Sequence, residues 1–153
     1  MSTRLYFFII LFSVVCLITT ASVVGLRRYN ANHFSCNGIY SATYNDAVLH
    51  ANARMTFFGG EGTVVLRGVF ESKSKKVSNL VLSTMFTFNR MNNSFVLTSK
   101  KNTVEMNYEK ETLKNILPEF YYKQGVDVIY DILPQGKDYL FLRGGIPVFM
   151  CRR

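Results

Sequence analysis

Between Arg4 and Arg27 the chain carries no charged residue, and most positions from Leu5 to Leu26 are Leu, Ile, Val or Phe. At ~1.5 Å rise per residue, a helix over this run crosses a hydrocarbon core of ~30 Å. The run contains no proline, and its only glycine, Gly25, sits at the far edge. It therefore divides the chain into 1–28, a tail and transmembrane anchor, 29–33, a polar linker, and 34–153, one domain. A cleaved signal peptide is the rival reading, with Thr19-Thr20-Ala21 as small residues before a cleavage site. Against it, only Arg4 precedes the run, and apolar residues continue past Ala21 through Val23, Val24 and Leu26. The flanking charges nearly tie, Arg4 and the amino terminus against Arg27 and Arg28, so orientation rests on the cysteines.

About 125 residues follow the anchor, enough for one core and too few for two. Setting aside Arg4, Arg27 and Arg28, fifteen Lys and Arg stand against ten acidic residues, so the domain is about +5. No long basic run concentrates that charge, and direct nucleic-acid binding is not expected. Thirteen Phe and nine Tyr without a Trp suit a strand-rich core.

Cys16 lies in the apolar run and reads as a small apolar filler. Cys36 and Cys151 bracket the domain, with no His or Cys near either at zinc-ligand spacing. Paired, they form a disulfide suited to an oxidising compartment; unpaired, they are two buried thiols of a cytosolic domain. The disulfide is the reading adopted, and it places the domain outside the cytoplasm.

Strand alternation dominates the rest. In Leu49 to Phe57 the odd positions are apolar and the even ones polar, the two-residue period of a half-buried strand. Val64, Leu66 and Phe70 share a face of the next strand. Leu80, Leu82, Phe86 and Phe88 do the same further on, as core or pocket lining. Turns are expected at Gly59–Gly62, Ser72–Lys76, Arg90–Asn93, Lys100–Asn102 and Pro134–Asp138. Glu111 to Leu117 reads as a short helix, with Thr112 as its cap and Pro118 stopping it. Tyr139 to Cys151 reads as one last strand, broken or bulged at Gly144-Gly145.

The fold class is mainly β: a transmembrane helix, then about eight antiparallel strands in a barrel or curled sheet, lipocalin-like, with one short helix. Eight alternating strands return the chain to the end where it began. The first and last strands, bearing Cys36 and Cys151, can then pair. The turns at Ser72–Lys76 and Lys100–Asn102 would form a basic rim at the other end, with Lys75 and Lys76 as candidate distal contacts.

No catalytic constellation emerges. His33 lies in the linker and His50 on a polar strand face, both read as solvated. The Gly-x-Ser-x-Gly elbow, the phosphate loop and HExxH are absent. Asp127 and Asp131 share a face and read as a solvated edge. Asn92-Asn93-Ser94 matches a glycosylation sequon, meaningful only in a eukaryotic secretory host. An enzyme is not expected, nor a metal or other cofactor.

The amino-terminal anchor, the overall length, Phe34-Ser35-Cys36 after the linker and the closing Ile146-Pro147-Val148-Phe149-Met150-Cys151 resemble the FidL-like family of small enterobacterial inner-membrane proteins. In organisation these resemble the ToxS-type partners of membrane-bound ToxR-type transcription regulators. The resemblance implies a single-pass inner-membrane protein with its amino terminus cytoplasmic and its domain periplasmic. It further implies heterodimerisation with such a regulator and a bile-salt or fatty-acid-like ligand. A stand-alone lipocalin-like binder of a hydrophobic molecule and a structural envelope-assembly protein are the rival expectations.

Overall fold

The computed structural model describes residues 3–71, 77–106 and 114–153. It divides into two compact units, 1–33 and 34–153.

The first unit is α1, Thr3–Asn32. It is apolar on every side, as a helix surrounded by lipid is and a surface helix is not. Tyr6–Asn32 is long and apolar enough to cross a membrane. Its hydroxyls turn back on the helix: Ser13 Oγ donates to Ile9 O, Thr20 Oγ1 to Cys16 O and Ser22 Oγ to Ile18 O. Such internal bonding is what a polar group needs where no water is available. The polar stretch read as a linker is not one. Arg27 to Asn32 continue the helix, because they include neither proline nor glycine, and β1 begins at His33.

The second unit is a closed barrel in which β1 (His33–Tyr44), β2 (Ala47–Phe58), β3 (Glu61–Glu71), β4 (Val77–Met91), β5 (Ser94–Met106), β6 (Asp127–Gln135), β7 (Asp138–Arg143) and β8 (Ile146–Arg152) follow one another round the wall. Sequence neighbours pair because tight turns join most of them. Asn45 and Asp46 both take positive φ, the conformation a two-residue hairpin demands and Asn and Asp tolerate. Alternation then sorts the wall. On β2, Leu49, Ala51, Ala53, Met55 and Phe57 are buried while His50, Asn52 and Arg54 are exposed.

An eight-stranded barrel is just wide enough for side chains to fill, and this one is filled largely with rings. Phe57 stacks on Phe34 at 4.4 Å between centroids and meets Phe86, Phe88 and Phe95 edge-on at 5.4, 5.2 and 5.6 Å. Phe141 stacks on Phe149 at 4.5 Å. Leu80, Leu82, Phe86 and Phe88 are all buried core residues. Gly62 is a necessity of this packing: a Cβ there would enter the Phe86 ring.

Three local readings change. Lys100–Asn102 is no turn: β5 runs through it, with a bulge opposite Met85/Phe86 that leaves Lys100 without a ladder partner. The basic rim at that position therefore does not exist, and Lys75 and Lys76 lie outside the described residues. Gly144 and Gly145, both at positive φ, are a true hairpin turn, so the expected last strand is two, β7 and β8. Of the expected helix, 114–116 are helical and 111–113 lie outside the described residues.

Candidate functional site

The wall closes where β8 meets β1. β1 and β8 pair only through Asn37↔Arg152 and Gly38↔Cys151. By contrast, β2 and β3 pair without interruption from Val48↔Glu71 to Phe58↔Glu61. Among the described residues no further rung joins β1 beyond Gly38 to β8 before Cys151, although β1 runs on to Tyr44 and β8 starts at Ile146. Unpaired strand backbone is a ready template for another strand.

A disulfide holds this short junction. Cys36 and Cys151 are bonded, with Cα atoms 5.3 Å apart, and both are buried. Gly38, the residue opposite Cys151, must be small: a Cβ would stand 2.6 Å from Met150 O and 2.9 Å from Phe149 Cδ2. Cys16 is a free, exposed thiol on α1.

Outside the seam lies a shallow concavity of about 640 Å³ lined by Asn37, Gly38, Ile39, Asn52, Met150 and Arg152. A second, of about 290 Å³, shares Asn37 and Asn52 and adds Ala53, Arg54, Val65 and Arg67.

Inside, a segment between β5 and β6 enters the barrel. Its 3-10 turn, Glu119–Tyr121, buries Phe120 and Tyr121, and Leu117 before it is buried too. The β5 bulge makes the anchorage. Ser99 Oγ donates to Lys123 O at 2.7 Å, as does Asn102 Nδ2, and Gly125 N–H donates to Ser99 O at 2.8 Å. Because Lys100 is extra, Ser99 and Asn102 both turn away from solvent and grip the same carbonyl. Sequence reading missed this turn, since three residues after Pro118 show no helical period.

The remaining sequence candidates do not assemble into a site. Asp127 and Asp131 face Thr98 and Ser94 across the β5–β6 ladder, and each accepts that partner's hydroxyl hydrogen bond. His50 Nδ1 lies 3.0 Å from Ser41 Oγ on the outer face, and His33 Nδ1 lies 2.8 Å from Tyr29 O. Among the described residues no three His, Cys, Asp or Glu side chains gather as metal ligands.

The residues from Ser35 to Cys151 thus form one disulfide-closed barrel, and a family model described as YqeJ C-terminal domain matches 35–151. The chain belongs to that family. The matched region runs from within β1 to near the end of β8, contains both bonded cysteines, and leaves α1 outside. No curated protein and no solved structure matches the chain.

Among the described residues of this YqeJ C-terminal domain, burial holds back the ionisation of three tyrosines. Burial raises Tyr121 well above its ordinary value, helped by Tyr130 and by the hydrogen bond its hydroxyl donates to Tyr130. Burial pushes Tyr40 up to about 12 and raises Tyr130, while the positive charge of Arg143 opposes both. An unfolded chain ionises these phenols near pH ~10, and the folded barrel keeps them neutral. The stability they contribute is fully present below pH ~10 and falls as pH climbs through the raised values. Alkaline titration should therefore show the ionisation of Tyr40, Tyr121 and Tyr130 delayed until the barrel melts. Tyrosinate absorbance followed beside near-ultraviolet circular dichroism checks this. Ionisation of these three with the dichroism intact would show the cluster is open to water.

Proposed function

We propose that the protein is the accessory subunit of a membrane signalling pair, anchored by α1, with its barrel in the periplasm beside the sensor domain of a membrane-bound transcription regulator. The reading rests on the seam. Its two-rung pairing leaves backbone of β1 and β8 available for an extended segment of a partner, recognition by strand addition. A shared membrane plane raises the effective concentration of two anchored partners, so the contact itself can be modest. The resemblance to FidL-like and ToxS-type proteins points the same way and supplies the regulator as the partner. The bonded cysteines fit an oxidising compartment.

The stand-alone carrier is the less favoured alternative. Such a protein needs interior space, whereas the rings around Phe57 already touch across the barrel. A bile-salt or fatty-acid-like ligand therefore belongs to the joint structure with a partner, where new lining is contributed.

Purification of the full chain in detergent from its host tests the reading. One dominant companion is expected, carrying a membrane anchor and a winged-helix DNA-binding domain. Deletion of the accessory protein should lower that regulator's level or output. A regulator that accumulates and signals normally in the deletion strain would transfer the preference to the carrier.

A further inference from the structure

We infer that the outer face of β1, β2 and β3, with the end of β8, is a docking groove for an acidic, extended segment of a partner protein. Arg54, Arg67 and Arg152 would hold its carboxylates, and Ile39 with Met150 its apolar side chains. This deepens the accessory-subunit reading by naming a surface and the chemistry of the segment it takes.

The two concavities are neighbours, with Asn37 and Asn52 lining both. Strand register sets the charges across them. Arg152 stands opposite Asn37, and Arg67 stands opposite Asn52. These residues lie on four consecutive strands, β8, β1, β2 and β3. At ~4.8 Å between neighbours, those strands span on the order of 14 Å, the length of about four extended residues.

Arg54, Arg67 and Arg152 line these concavities. Among the described residues none of the three has an ion pair. The nearest acid by register is Asp138, one rung beyond Tyr139↔Cys151, and its carboxylate accepts the Arg153 N–H at 3.4 Å. Three like charges lining two neighbouring concavities repel each other, and carboxylates relieve that while matching the planar fork of Arg.

The floor argues for a peptide over a phosphate or a nucleic acid. Ile39 is 73% exposed and Met150 48% exposed, apolar surface that an inorganic anion would leave wet. Among the described residues no aromatic ring lines either concavity, so bases would find nothing to stack on. The Asn37 and Asn52 amides offer donors and acceptors to a peptide backbone.

Fluorescein-labelled poly-L-glutamate, with the full chain in non-ionic detergent, is the probe, read by fluorescence anisotropy. Binding is expected at low salt, weakened about tenfold in Arg54→Gln/Arg67→Gln. The charge-matched Lys100→Gln/Lys101→Gln, on exposed β5 positions, should bind as the wild type does. A glutamate–tyrosine copolymer should bind more tightly than polyglutamate, and Ile39→Ser should remove that advantage. Equal losses in the two charge-matched variants, or no binding at all, would overturn the groove. Tighter binding of a single-stranded DNA of equal charge, lost in the arginine variant, would overturn the peptide assignment. Co-purification separates the two readings. A regulator retained equally by Arg54→Gln/Arg67→Gln removes the groove and leaves the accessory reading. Probe binding without any companion regulator removes the accessory reading and leaves the groove.

Discussion

Phe57→Ala is expected to destabilise the barrel by about 3–5 kcal/mol, the range for deleting a fully buried ring from a packed core. Phe57 sits 1% exposed where Phe34, Phe86, Phe88 and Phe95 converge, with Phe141 at 6.4 Å. Those neighbours come from β1, β4, β5 and β7, held in place by ladder hydrogen bonds, so the cavity cannot collapse without moving strands. Each ring pair also carries geometry-dependent attraction beyond area burial, about 0.5–1.5 kcal/mol. Chemical denaturation followed by tyrosine fluorescence suits the measurement, because the chain has no tryptophan. A loss below about 1 kcal/mol would mean the ring lines open space and not a packed core. Phe86→Ala should behave similarly, with an added effect: its ring covers Gly62, and removing it would expose that stretch of β3 backbone.

Loss of the disulfide should rank next. Cys151→Ser is expected to cost about 2–5 kcal/mol, because the bond closes a loop with a sequence separation of 115. On the chain-entropy account, loops of this size contribute up to about 4.7 kcal/mol by restricting the unfolded chain. Serine also places a hydroxyl where Cys151 is wholly buried, so Cys36→Ala/Cys151→Ala should be measured beside it to separate the cross-link from the buried hydroxyl. With two rungs at the seam, β8 has little else holding it to β1. Both variants should still insert α1 into membranes. A double variant as stable as the wild type would show that β1 and β8 stay together without the bond.

The alternation of apolar and polar residues made the barrel wall legible in the sequence. Leu80, Leu82, Phe86 and Phe88 face inward as their spacing predicts, and Cys36 meets Cys151 as eight alternating strands require. The number of strands came out right through two opposite errors. Lys100-Lys101-Asn102 looks like a polar turn, but a bulge lets β5 pass through it and join what reads as two strands. Gly144-Gly145 looks like a bulge, but both residues take positive φ and turn the chain, splitting what reads as one. Polarity alone cannot separate these cases, because a bulge and a turn both leave residues without ladder partners.

The candidate surface was almost invisible beforehand. Arg54 and Arg67 each look like an ordinary outward residue of a strand. Only register, which puts Arg67 beside Asn52 and Arg152 beside Asn37, assembles them. The short pairing at the seam is equally hidden, since alternation shows which face a residue takes and not how many rungs two strands share.

The seam also dictates an order of events as the chain is made. Four hairpin-linked strands, β2 to β5, pair with close sequence neighbours and can form early. Closure waits for Cys151, which lies on β8, the last strand of the wall. Until that cysteine emerges, Cys36 has no partner in the barrel and the β1 edge stays open.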